Sequence, residues 1–283
     1  MGNSDMSRYL TSLSRWGKAG IVILMGIVLV AVIGPFIAPE SPSEILSFEA
    51  FAPPGKVGIL GTDYLGRDML SRMLYGAGLT VALSVSATVV GFVTGVVLGF
   101  FAAEAGGRID SVTFRLVDVL IAFPPILLAL IIIVGLGSSI PVLIGTVGLI
   151  HAPRVARIAR AVALDIGVQE FVEAARARGE KIWSIMWREI WPNSLLPMAA
   201  EFGLRMAYSI LLLSALSFLG LGIQPPAADW GAMVRENMSG IYYGGWSILL
   251  PASAIALFVI GINLFVDSLV GQAYGDVSRE MLK

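Results

Sequence analysis

The sequence predicts an all-α polytopic membrane protein with six transmembrane helices. Three observations predict it. The 283 residues have a mean hydropathy of +0.84, with 57% hydrophobic and only 14% charged residues, where soluble domains carry about a quarter charged. Apolar runs of roughly twenty residues, the length that crosses a bilayer, recur along the chain. The weaker signature of a membrane β-barrel, alternating runs of about ten residues, is absent. Lipid-exposed backbone must satisfy its own hydrogen bonds, so each span is read as a helix. The formal net charge of -1 gives nucleic acid no basic face to bind. There is no cysteine for a disulfide or thiolate site, and the single histidine, His151, is read as a polar residue near a helix end.

The first span is expected over Gly20 to Ala38, after Arg8, Arg15 and Lys18. It is too long for a signal-peptide core and no A-x-A site follows, so it is read as a retained anchor. A loop over 39–78, rich in Pro, Gly and acidic residues, separates it from a second span near Leu79–Ala103. The third, near Val112–Leu136, contains Pro124-Pro125, which should kink it by removing backbone donors. The fourth starts near Ile140 and runs into Arg154, Arg157 and Arg160, so its apolar part is short. The fifth and sixth are expected near Leu195–Leu219 and Ile248–Gly271. Six spans put both termini on one side. That side holds fourteen Lys and Arg against four on the other. Positive charge stays in the cytoplasm, so both termini and the segment 151–195 are expected there.

The longest cytoplasmic stretch is the informative one. Helix formers fill 169–178, Gly179 interrupts them, and a second amphipathic run follows with Ile182, Trp183, Ile185, Met186 and Ile190 as its apolar positions. Pro192 is expected to stop the backbone ladder before the fifth span. On physical grounds alone, a helix–turn–helix here could be a membrane-surface anchor or could fit a partner's groove.

The spacing of Glu173-Ala174-Ala175, Gly179 and Pro192 resembles the EAA loop of ABC importer permeases. Glu189 and Trp191 depart from it, standing where Ile and Leu are usual. Further stretches look like the C-type transmembrane subunit of the dipeptide/oligopeptide/nickel permease family. These are Gly61-Thr62-Asp63-Tyr64-Leu65-Gly66-Arg67-Asp68 with Ser71-Arg72 and Tyr75-Gly76, Asp118 with Phe123-Pro124, Leu216 to Gly222, and Gln224-Pro225-Pro226 with Trp230-Gly231. Together with the anchor span, the resemblance covers nearly the whole chain.

The resemblance implies a type I ABC importer permease in a bacterial inner membrane. It divides the chain into an anchor helix and external loop (1–78), a core permease domain (79–271) with a coupling loop (164–193), and a cytoplasmic tail (272–283). The implied partners are a B-type permease subunit, two ATPase subunits and an external solute-binding protein, with the lipid bilayer around them. The implied coupling residues are Glu173, Ala174, Ala175, Gly179 and Pro192, where small side chains permit close approach. No G-x-x-x-x-G-K-[ST] run occurs, so this chain holds no P-loop and needs no cofactor of its own; ATP and Mg belong to the partner ATPases.

Other ionisable residues invite separate readings. Glu201 and Arg205, spaced i, i+4, favour a mutual ion pair within the fifth span and are candidates for the translocation path. The alternative sets them near the cytoplasmic interface with Arg205 snorkelling. Asp118 is a third path candidate, or an acid favoured by a nearby helix N-terminus. Asp63, Arg67, Asp68 and Trp230 are candidates for contact with the external binding protein, or for shaping a turn. An ion-gradient-driven secondary transporter is the alternative function, yet few midplane acids and no inverted repeat are evident. A membrane enzyme lacks support, with no His or Cys cluster and no G-x-S-x-G elbow. Peptides, nickel complexes, glutathione and opine-like conjugates all remain open as cargo.

Overall fold

The computed structural model describes residues 14–280. Arg8 and the rest of 1–13, and the last three residues of the tail, lie outside the described residues.

Helix α1 (Arg15–Ile37) starts at Ser14, whose hydroxyl accepts from the Gly17 N–H. A long loop follows and ends at Asp68. That carboxylate caps α2 (Met69–Ala105) by accepting from the Ser71 N–H at 2.8 Å. The second helix thus starts at Met69 rather than near Leu79, and the division expected between residues 78 and 79 falls inside it.

Helices α3 (Gly107–Ala122) and α4 (Pro125–Leu136) occupy the expected third span but meet at 89°. The kink expected from Pro124-Pro125 is therefore a full break. Phe123, constrained by the following proline, takes extended backbone at φ -75° and ψ 133°. Pro125 then opens α4 at a position where its missing N–H costs nothing. Five helices are long and apolar enough to cross a membrane, or six if this bent pair counts as one span.

Helix α5 (Ile140–Gly167) does not shorten where its arginines begin. Arg160 forks onto Asp110 and Arg157 reaches Asp118, both on α3, so the charges are met by a neighbouring helix. His151 lies in the middle of α5 and is buried, not near an end as expected. Short α6 (Glu170–Ala177) and α7 (Ile182–Ile185) follow, then a π turn over Met186–Ile190 and α8 (Trp191–Phe218). Pro192 does not stop this helix. The Trp191 N–H bonds the Met186 carbonyl five residues back, and the Asn193 side chain donates to the Glu189 carbonyl at 2.6 Å. The π turn thereby absorbs the missing donor, and helical backbone continues from Ile182 to Phe218. Short α9 (Trp230–Glu236) and a 3₁₀ turn (Met238–Tyr243) lead to the long α10 (Trp246–Glu280).

The bundle is built on the α2–α5 contact. Gly91, Gly95 and Gly99 lie along one face of α2, and a Cβ at each would fall 2.8, 2.6 and 2.4 Å from the carbonyl oxygens of Gly148, Ala152 and Ala156. Small residues let the two backbones touch, the usual device where lipid offers no hydrophobic drive between helices. Helix α8 packs on α2 through Thr88, whose hydroxyl meets that of Ser209 at 2.8 Å. Helix α1 lies against α10, where Gly20 and Gly261 make the close contact.

Candidate functional site

Three places hold the residues singled out from the sequence.

The first is the helix–turn–helix before α8. Helix α6 buries Val172 and Ala175 in a cluster with Phe100, Ile185, Met186 and Ile190. Gly179, at φ +76°, closes the helix with a left-handed turn in which the Glu180 N–H bonds the Ala175 carbonyl at 3.2 Å. Arg176 fastens the segment to the bundle, donating to Glu104 of α2 and, at 2.7 Å, to the Gly167 carbonyl. Trp183 stacks on Phe101 with ring centroids 5.9 Å apart. The five coupling candidates therefore divide. Glu173, Ala174, Gly179 and Pro192 are exposed, whereas Ala175 faces inward and is fully buried. A hydrogen bond from Arg178 holds the Glu180 carboxyl below its ordinary range, helped by Ser184.

The second place is the loop before α2 together with α9. Asp63, Arg67, Asp68 and Trp230 do not present a surface; they are at most 4% exposed. Asp63 accepts from the Leu65 and Arg67 N–H groups, both at 2.9 Å, and its other oxygen meets the Arg67 guanidinium at 2.6 Å. Glu236 of α9 bridges Arg67 at 3.1 Å and Arg72 at 2.7 Å. Trp230 donates from its indole to the Met73 carbonyl at 3.1 Å and from its backbone to Thr80 at 3.1 Å. These residues clamp the loop before α2, and α9, onto the start of α2. Asp229 caps α9, accepting from Gly231 and Ala232, and burial pushes its carboxyl above the ordinary range. Sequence reasoning passed over Arg72 and Glu236 as partners. Their signal was an unusually polar stretch bordering an apolar span.

The third place is a cavity of about 500 Å³ among α4, α5 and α8, lined by Arg154, Arg205, His151 and Tyr208 with apolar residues between. Glu201 and Arg205 form the expected ion pair, Oε1 to Nε, at 2.8 Å, although the N–H is not aligned along it as a hydrogen bond. Arg205 sits fourteen residues into α8, about 21 Å along its axis, and both side chains are largely buried. The pair is thus well inside the bundle rather than snorkelling at the helix start. Arg205 also lies over the Tyr208 ring, 5.0 Å from its centroid. Asp118 is not at a helix N-terminus. It lies near the end of α3 and pairs with Arg157, half-exposed and off the cavity lining. Arg154 and His151 reach the cavity from α5, a role their position beside an apolar run could have suggested.

Comparison with known proteins agrees with this geometry. A protein of Brucella suis biovar 1 named for a peptide transport system permease is 37% identical over 252 residues, covering 89% of this chain and 85% of its own. The dipeptide transport system permease of Bacillus subtilis is 35% identical over 90% of this chain and 80% of its own. The glutathione transport system permease of Pectobacterium atrosepticum is 33% identical over 89% and 83%. A solved chain from inward-facing structures of the MetNI methionine ABC transporter shares the fold, with a TM-score of 0.59 at 19% identity, over 72% of this chain and 97% of its own. The model of the "binding-protein-dependent transport system inner membrane component" family matches residues 95–274. A multi-helical membrane protein with the type I importer permease fold, this chain belongs to the family of binding-protein-dependent transport system inner membrane components.

Proposed function

We propose that the chain forms one half of the translocation pathway of an ATP-driven importer for peptides or related small solutes. A B-type permease supplies the other half, two ATPase subunits the energy, and an external binding protein the cargo. Both termini and the segment 164–193 face the cytoplasm. The chain itself does no catalysis. The observation that carries this reading is the build of that segment within a chain of this family. Helix α6 presents Glu173 and Ala174 outward, is pinned to α2 by Arg176, and runs through Gly179 into one continuous helical rod, 182–218, that reaches the cavity.

Such a rod is a lever. An ATPase that moves α6 moves α8 with it, and Arg205 on α8 moves relative to Arg154 on α5. Coupling needs a surface whose contacts differ between two states, not a reactive side chain. Ion-gradient coupling would call for titratable acids along the path, and among the described residues no acid lines the cavity.

The test separates contact from backbone. A Cβ at Gly179 meets nothing within 4 Å, and asparagine tolerates a left-handed conformation, so Gly179→Asn should leave ATP-dependent uptake within about twofold. Ala174→Trp, on the exposed face, should insert normally yet lower uptake by roughly tenfold or more, the scale of a lost interface contact of 1–2 kcal/mol. Uptake by Ala174→Trp at the unmodified rate would overturn the coupling assignment.

A further inference from the structure

The cavity carries charge that the chain itself does not balance. Arg154 and Arg205 both line it, and among the described residues no aspartate or glutamate does. Glu201 pairs with Arg205 from outside the lining. Among the described residues Arg154 has no carboxylate partner; its guanidinium donates only to the Ile150 carbonyl, one turn back on its own helix, at 3.0 Å. His151 beside it is 4% exposed, with neither ring nitrogen hydrogen-bonded. Two guanidinium groups thus share one carboxylate inside a membrane-embedded bundle. Ionisable residues in such a place face a water-filled path and seek a counter-charge. The guanidinium fork matches a carboxylate in shape and in donor directions, so an anion arriving in the cavity meets preset donors. The remaining walls, including Pro125 and Leu212, are apolar, and the volume suits a small solute.

We propose that this cavity binds the carboxylate of the transported solute, with Arg154 as its principal ligand and Arg205, steadied by Glu201, as the second. The cargo is therefore a small solute with a free carboxylate. The word "transported" rests on the importer reading; binding at the cavity does not. No bond is made or broken. The carboxylate is held by charge and released when α8 shifts against α5 and parts the two arginines.

The test uses the full chain in native membranes, without ATP. Phenylglyoxal modifies accessible arginines, and mass spectrometry of the digested protein reads the extent at each position. The probe is N-acetylalanine, and its neutral control is N-acetylalaninamide. Arg154 is expected to react, and millimolar N-acetylalanine should slow its modification about fivefold while the amide does not. Arg188, exposed on the π turn, serves as the internal reference and should be indifferent to both. Equal protection by acid and amide would show a cavity that does not read charge. No protection, or an Arg154 already unreactive because a neighbouring subunit or a lipid neutralises it, would equally overturn the proposal. Loss of protection with ATP-driven uptake intact removes the carboxylate site alone. Protection without ATP-driven uptake removes the importer reading alone.

Discussion

At the scale of single residues, charges do two different jobs on the two sides of this molecule. Where the loop and α9 meet the start of α2, Asp63, Arg67, Arg72 and Glu236 are almost fully buried and paired with one another. Removing one member leaves an uncompensated buried charge, a loss of about 3–5 kcal/mol. Glu236→Ala should therefore lower the thermal unfolding midpoint sharply, as read by fluorescence of the purified protein. Glu49→Ala, which breaks the solvent-exposed pair with Lys56, should change stability by less than about 1 kcal/mol. Equal effects from the two variants would contradict the assignment of the external network as a structural clamp. This network also marks a limit of legibility. Asp63, Arg67 and Trp230 were evident as unusual residues next to an apolar span. Arg67 is buried against Glu236, 169 residues away, and Trp230 against Met73 and Thr80, 157 and 150 residues away, and no local pattern encodes such pairings.

Secondary-structure elements were the most legible scale, because hydropathy and Lys/Arg placement are local properties that lipid enforces. Five of the expected spans became long helices, and the sixth became the bent α3–α4 pair. Misreadings cluster at prolines, where the outcome depends on neighbours. Pro124-Pro125 breaks the chain through 89° because nothing restores the lost hydrogen bonds there. Pro192 breaks nothing because a π turn and the Asn193 amide take up the slack. The glycine row on α2 takes its meaning only from α5 opposite. Gly95 tests it directly: its added Cβ would sit 2.6 Å from both the Ala152 oxygen and the Val155 Cβ. Gly95→Ala should cost about 1–3 kcal/mol through overpacking. Gly145→Ala on α5, where a Cβ meets nothing within 4 Å, should be neutral or slightly stabilising. Denaturation of the two variants in the same detergent compares them directly.

At the scale of the whole molecule, one continuous path joins the exposed surface of α6 to an internal cavity. Glu173 and Ala174 form its outer end, the π turn and α8 its shaft, and Arg205 its inner end. The family was legible from the motif, and the Glu201–Arg205 pair from its spacing. Arg154 and His151 stood out only as polar residues beside an apolar run; that they face Arg205 across one cavity depends on the register of α5 against α8, which only the fold fixes. The central claim is that the surface at Ala174 faces the cytosol, where an ATPase can reach it. The sequence contains no cysteine, so a single Ala174→Cys variant gives one unambiguous reporter, with Ser43→Cys in the external loop as its counterpart. A membrane-impermeant maleimide is predicted to label Cys at 174 in inverted vesicles and not in intact cells, and Cys at 43 in intact cells and not in inverted vesicles. Labelling of position 174 from outside intact cells would contradict the account.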